Sequence, residues 1–229
     1  MSRPVNFFAP NEWYHCYSRG IDKRTVFENV SDYQRFISLL YLTNTIEPLH
    51  RSNLGNLNHD DIFTIPREEP LVSIGAYALM PNHFHLLLYE KNDSGISTFM
   101  QKLGTAYTMY FNIKNERSGG LFTKPFRALH VPDDRYFQHV VDYIHLNPLE
   151  LFDHNWKDGK AHDTHYLRAK LEAYPFSSLP DLNKVSRPAA VILGNEIFDT
   201  YQHKTTKQMM ENALTYKEML SSLIIKATP

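Results

Sequence analysis

Ala78-Leu79-Met80-Pro81-Asn82-His83-Phe84-His85-Leu86-Leu87-Leu88 decides how this chain folds. Two apolar runs flank Pro81-Asn82, a turn pair, so the stretch predicts an antiparallel hairpin with strands over 71–80 and 83–89. Side chains alternate between faces along a strand. His83 and His85 therefore share one face, while Phe84 and Leu86 point into the other layer. Imidazole binds the common first-row divalent ions, and two imidazoles side by side suit one metal ion. The pair also reads as ordinary hydrogen-bonded sheet histidines, because short motifs arise by chance.

A second segment, Val141-Asp142-Tyr143-Ile144-His145-Leu146-Asn147-Pro148, gives the pair its interest. Asp133 or Asp134 can cap a helix here, with Phe137, Val140, Val141 and Ile144 on its apolar side. Pro148 disfavours helical geometry at Asn147, so the helix is expected to end there. Tyr143 and Asn147 are four apart and share a face beside the apolar stripe. A rim tyrosine and an Asn serving as C-cap account for the same pattern. His139 and His145 are further candidates on the same helix, with surface histidine as the plain alternative for His139.

Taken together, these residues resemble the single-tyrosine HUH nucleases, most closely the REP-associated tyrosine transposases. Trp13-Tyr14-His15-Cys16-Tyr17-Ser18-Arg19-Gly20 is similar to that family's opening strand, and Asp32-Tyr33-Gln34-Arg35-Phe36 to its first helix. Gly120-Leu121-Phe122, Phe126-Arg127-Ala128 and Tyr174-Pro175-Phe176-Ser177-Ser178-Leu179 extend the similarity over about residues 13 to 180. Phe176 stands where relatives usually carry Trp. Thr123-Lys124-Pro125 stands where they often show Gln-Gly-Arg, which leaves the DNA grip of this loop open.

The resemblance implies an α+β fold: a ferredoxin-like antiparallel sheet with helices packed on one face. It implies a catalytic domain over 1–180 and a helical C-terminal extension over 181–229. Tyr143 would be the nucleophile, and His83, His85 and Asn147 the ligands of Mg²⁺ or Mn²⁺. Ligand chemistry alone would also admit Zn²⁺ or Ni²⁺. The reaction implied is metal-dependent cleavage and strand transfer on single-stranded DNA, through a 5′-phosphotyrosine. The implied substrate is a hairpin of the repeated extragenic palindrome kind. Arg19, Lys124 and Arg127 are candidate phosphate contacts, and His15 either lines the same groove or packs beneath it. The chain would act as a monomer, like the REP-associated group, or as a homodimer, like insertion-sequence relatives that exchange tyrosine helices. A DNA-binding protein without cleavage and a small-substrate metallohydrolase are the alternatives.

Composition agrees with a globular domain. Hydrophobic residues make up 42% of the 229, enough for a proper core. No run reaches bilayer-spanning length, and the N-terminal residues carry no apolar stretch of signal-peptide length, so a cytoplasmic location is expected. The single Cys16 is read as a buried thiol. A net charge of −1 argues mildly against nucleic acid, but residues 101–135 hold six basic and three acidic residues. That locally basic stretch can follow a phosphate backbone, and a solvated loop explains part of it equally well. Tyr107 and Tyr110 fall at helical spacing with Leu103 and Phe111, which marks them as core or base-stacking residues rather than nucleophiles.

Overall fold

The computed structural model describes residues 8–47, 58–156 and 163–213. Four strands form one sheet: β1 (Trp13–Arg19), β2 (Val72–Met80), β3 (His83–Glu90) and β4 (Arg127–Val131), in the order β2-β3-β1-β4. Every pairing is antiparallel. The hairpin expected at Pro81-Asn82 joins β2 to β3, with Met80 opposite His83. The helices that follow the strands are α1 (Val30–Leu42), α2 (Gly95–Lys114), α3 (Asp134–Leu146), α4 (Thr164–Glu172), α5 (Leu179–Leu182) and α6 (Glu196–Thr200). This is the α+β sheet-and-helix architecture that the sequence implied.

Strand register sorts the side chains into two faces. Tyr17 lies opposite His85 and Arg127, and Arg19 opposite His83, so Trp13, His15, Tyr17 and Arg19 share a face with His83, His85 and Arg127. The other face carries Cys16, Phe84 and Leu86 and meets α1 and α2. There the Phe84 ring lies 4.9 Å from Phe36 and 5.3 Å from Phe122. Helices α1 and α2 thus share one face, and the tyrosine-bearing α3 closes the opposite one, so the helices are not confined to the single face that the sequence implied. Trp13 on β1 meets Phe137 on α3 at 5.1 Å. That contact depends on Gly75, where β2 shifts register: a Cβ there would sit 2.7 Å from Trp13 Cζ3.

Local chemistry explains the helix starts. Asn29 caps α1, and Asp32 returns the bond to the Asn29 amide, a capping box. Asp32 also takes Lys114 Nζ at 2.8 Å and the Tyr110 hydroxyl at 2.9 Å, which ties α1 to α2. Burial alone would raise the Asp32 carboxyl; the bonds from Lys114, the Glu28 amide and Tyr110 outweigh it and hold it below the usual carboxylate range. A carboxyl depressed in the folded state adds stability above its unfolded value of about 3.9, and that stability is lost as pH falls through the folded value. Asp32→Asn is therefore expected to flatten the acid limb of stability below about pH 5. Urea denaturation at a series of pH values checks this; an acid limb as steep as in the parent protein would contradict it.

Tyr107 and Tyr110 belong to this helical layer, away from the paired histidines. Tyr107 is fully buried, with its hydroxyl donating to the Val26 carbonyl at 2.6 Å. Cys16 is fully buried as well, and burial raises its thiol pKa, the inert state expected of it.

The C-terminal residues close the free edge of β2. Leu79 N–H donates to the Phe176 carbonyl, Ser178 N–H to the Tyr77 carbonyl and Gly194 N–H to the Ile74 carbonyl, each at 3.0 Å. Arg187 crosses the boundary expected at 180, bonding Asp181 Oδ1 at 2.6 Å and the Tyr77 hydroxyl at 3.0 Å. Residues 183–194, expected to be irregular, contain one 3₁₀ turn, Pro188–Ile192. Of the helix expected over 205–225, residues 206–213 are helical, and the remainder lies outside the described residues.

Candidate active site

Asp133, the first of the two capping candidates, accepts from the Tyr136 amide and starts α3. The helix ends at Leu146, as Pro148 required, but Asn147 itself stays helical at φ −52° and ψ −41°. The expected departure from helical geometry does not occur there. The chain tightens into a 3₁₀ turn, Asn147–Leu151, with Pro148 in its first turn, where a missing N–H breaks no bond. Asn147 is the C-cap: its backbone N–H and its side-chain Nδ2 both donate to the Tyr143 carbonyl, the latter at 2.8 Å. The capping reading and the ligand reading are compatible, because the amide nitrogen does the first and only the amide oxygen can do the second.

Helix α3 brings Tyr143 over the histidine face of the same chain. Its ring lies 5.6 Å from His85 and 5.8 Å from His15. His83 and His85 are themselves 5.1 Å apart, nearly perpendicular. Asn147 lies one turn from Tyr143 and is 2% exposed. Burial, with the charge of Glu150 adding to it and the Asn147 side chain opposing, pushes the Tyr143 phenol up to about 12. Tyr143 is therefore a weak nucleophile unless its target is strongly polarised.

Two imidazoles and one amide oxygen form a donor set that fits a divalent ion, with coordination positions left for substrate and water. Metal ligation requires neutral imidazole. Burial lowers the neighbouring His15 to about 4. No cluster of three or more His, Cys, Asp or Glu suited to a metal occurs among the described residues.

The DNA-contact candidates divide. Arg19 and Arg127 are exposed and lie on the histidine face, in register with His83 and Tyr17. Lys124 is exposed on the loop before β4. His15 is 5% exposed and hydrogen-bonded to His85. His145 is fully buried and bonds the Ser178 hydroxyl at 2.7 Å, which turns it away from Tyr143 and makes it a tie to the β2 edge. His139 is buried too, among Lys204, Asp142, Arg135 and Asp133, and burial lowers its pKa first, with Lys204 adding to the effect.

Three residues near the site were not singled out from the sequence. Tyr17 stacks beside the centre, its ring 5.6 Å from His85 and 5.2 Å from His15; alternation along β1 was the signal that could have found it. Asn82 bonds His83 across the turn, and Glu150 faces the phenol from the 3₁₀ turn. Asn82 was read from the sequence only as half of the turn pair, and Glu150 carries no pattern beyond proximity.

The back of α3 is held by residues 200–204. Asp142, next to the tyrosine and 3% exposed, accepts from Lys204 Nζ at 2.6 Å and from the Tyr201 hydroxyl at 2.8 Å. Gln138 donates to the Thr200 carbonyl and accepts from the Gln202 amide. Burial raises the Asp142 carboxyl and Lys204 offsets it, so the lysine is what makes a charge tolerable there. Lys204→Met is expected to cost about 3 kcal/mol in chemical denaturation. A loss below about 0.5 kcal/mol, the level of an exposed pair, would show that the buried charge is not what holds the helix.

The sheet, the helix laid across it and the tyrosine beside paired histidines can be compared with known proteins. Residues 59–147 match the family model described as "Transposase IS200 like". That stretch, which contains the histidine hairpin and Tyr143, is of the IS200-like transposase family. Among solved structures, the chain is similar to one titled "Structure of the REP associates tyrosine transposase bound to a REP hairpin", at 13% identity and a TM-score of 0.53. The match covers 89% of this chain and 99% of that one. No curated protein sequence matches. The resemblance drawn from the sequence holds for the fold, and for the family over residues 59–147. Among the described residues, no helix is long and apolar enough to cross a membrane.

Proposed function

We propose that this chain cuts and rejoins single-stranded DNA, with Tyr143 as the nucleophile. The observation that carries the reading is the placement of the Tyr143 ring 5.6 Å from His85 of its own sheet. In the forward step the Tyr143 oxygen forms a bond to the scissile phosphorus as the bond from phosphorus to the 3′ oxygen breaks. The phenol gives up its proton, and the departing 3′ oxygen takes one up to become a 3′-OH. The product is a 5′-phosphotyrosine, which a 3′-OH can later attack to restore a phosphodiester and the phenol. The phosphoester bond is conserved throughout, so no nucleotide cofactor is needed.

His83, His85 and the Asn147 oxygen would hold Mg²⁺ or Mn²⁺. Such an ion, when bound, supplies the polarisation of the phosphate that a phenol raised to about 12 requires. Arg19, Arg127 and Lys124 would follow the phosphates, and the rings of Tyr17 and Tyr143 offer faces on which an unpaired base can stack. The solved relative is bound to a REP hairpin. A hairpin with a single-stranded flank is therefore the substrate we infer here, and a monomer acting in cis is the working unit.

Incubation of the chain with a labelled single-stranded hairpin and Mn²⁺ tests this. A protein–DNA adduct that survives denaturing electrophoresis is expected, with the same sequence as duplex giving little. A mobility shift without any adduct would leave a DNA-binding protein of this fold, and equal cutting of duplex would remove the single-strand requirement.

A further inference from the structure

Each histidine of the pair has its Nδ1 held by a polar neighbour, and the two neighbours differ in kind. His83 Nδ1 lies 2.6 Å from Asn82 Oδ1. The Asn82 amide is oriented from its other end, where Nδ2 donates to the Lys23 carbonyl at 3.3 Å. A carbonyl only accepts, so the amide oxygen faces His83 and the His83 Nδ1 carries the proton. Neutral imidazole has one N–H, which puts the His83 lone pair on Nε2.

At His85 the neighbour is another imidazole: Nδ1 lies 2.9 Å from His15 Nε2, within a pair that is 6% and 5% exposed. One ring donates to the other, and the direction decides what His85 can do. If His15 donates, the His85 proton sits on Nε2 and the ring cannot ligate outward. If His85 donates, its lone pair lies on Nε2, matching His83. Because the pair is nearly dry, solvent does not readily replace the missing partner when His15 is lost.

We propose that His15 and Asn82 are positioning residues that hold His85 and His83 in the Nδ1–H form, so that both present Nε2 to the same divalent ion. Free neutral histidine in water favours Nε2–H, so each ring needs an acceptor at Nδ1 to be held the other way. Ligand histidines in general donate their second N–H to such an acceptor, and losing it weakens metal binding about ten- to hundredfold. The proposal assigns His15 a role other than DNA contact, and it rests on the reading of His83 and His85 as ligands.

The test uses the purified full chain without DNA. Mn²⁺ uptake is followed by the electron paramagnetic resonance signal of the unbound ion, and the ring protons by long-range ¹H–¹⁵N correlation of the metal-free protein. We expect Nδ1–H forms at both His83 and His85 in the parent chain. His15→Leu should move His85 toward Nε2–H and weaken Mn²⁺ binding about ten- to hundredfold. His15→Gln, whose amide oxygen can accept the same N–H, should recover most of the affinity. Asn82→Ala, on a partly exposed turn, should do to His83 what His15→Leu does to His85, and it serves if the buried substitution fails to fold. An Nε2–H form of His85 in the parent chain overturns the proposal. So does undiminished Mn²⁺ affinity in His15→Leu and Asn82→Ala while His85→Ala loses it. A parent chain that takes up no more Mn²⁺ than His83→Ala removes the ligand reading itself, and this proposal with it.

Discussion

Tyr143→Phe is expected to leave no denaturation-resistant adduct on a single-stranded hairpin, with cleavage reduced on the order of 10⁴-fold or more, as when other enzymes lose their nucleophile. Removing one hydroxyl from a ring that is otherwise kept should not disturb packing. The prediction is sharper than it first looks, because Tyr17 lies as near His85 as Tyr143 does, each ring centre 5.6 Å away. What separates the two phenols is their setting. Tyr143 stands on a helix one turn before a buried Asn147 whose side chain touches the phenol's ionisation, whereas Tyr17 stands on the sheet. Tyr17→Phe should therefore still form the adduct. An adduct that persists in Tyr143→Phe and vanishes in Tyr17→Phe would assign the chemistry to the strand and end the present reading.

Replacing His83 or His85 by Ala should reduce cleavage about 10³-fold, which corresponds to the roughly 4 kcal/mol that a Lewis acid contributes to a polarised phosphate. Hairpin binding measured with the metal chelated should persist, because phosphate contacts supply most of the affinity. The effect of His85→Ala should exceed that of His83→Ala on stability, since His85 is 6% exposed and bonded within the protein, while His83 is only partly buried at the turn. Gel-shift and cleavage assays on the same preparations separate the two quantities. Normal cleavage by either variant with metal chelated would show that the pair is structural.

Much of this was legible in the chain itself, for definite reasons. Alternation around Pro81-Asn82 gave the hairpin to within a residue, because the turn pair fixes register and register fixes which face each histidine takes. The α3 boundaries followed from Asp133 and Pro148, both of which act through local backbone chemistry. The positions of Tyr143 and Asn147 on one helix were readable, and so was their family. Their distance to His85 was not, because it depends on Trp13 packing against Gly75 and Phe137, a long-range contact without periodic signature. His15 shows the same limit. Its place on β1 was clear, but the bond to His85 joins side chains 70 residues apart and appears only when the strands pair. The geometry at Asn147 went against the local preference before proline because the 3₁₀ turn that follows tolerates Pro148 in its opening turn.

The clamp of residues 200–204 on α3 has a consequence for the order of events during synthesis. When the ribosome has passed Pro148, every reactive side chain has been made, yet Lys204 and Tyr201 have not, and Asp142 then has neither of the partners that hydrogen-bond it in the finished molecule. A chain cut short before Tyr201 is therefore expected to keep all the reactive groups while losing the contacts that hold α3 from behind.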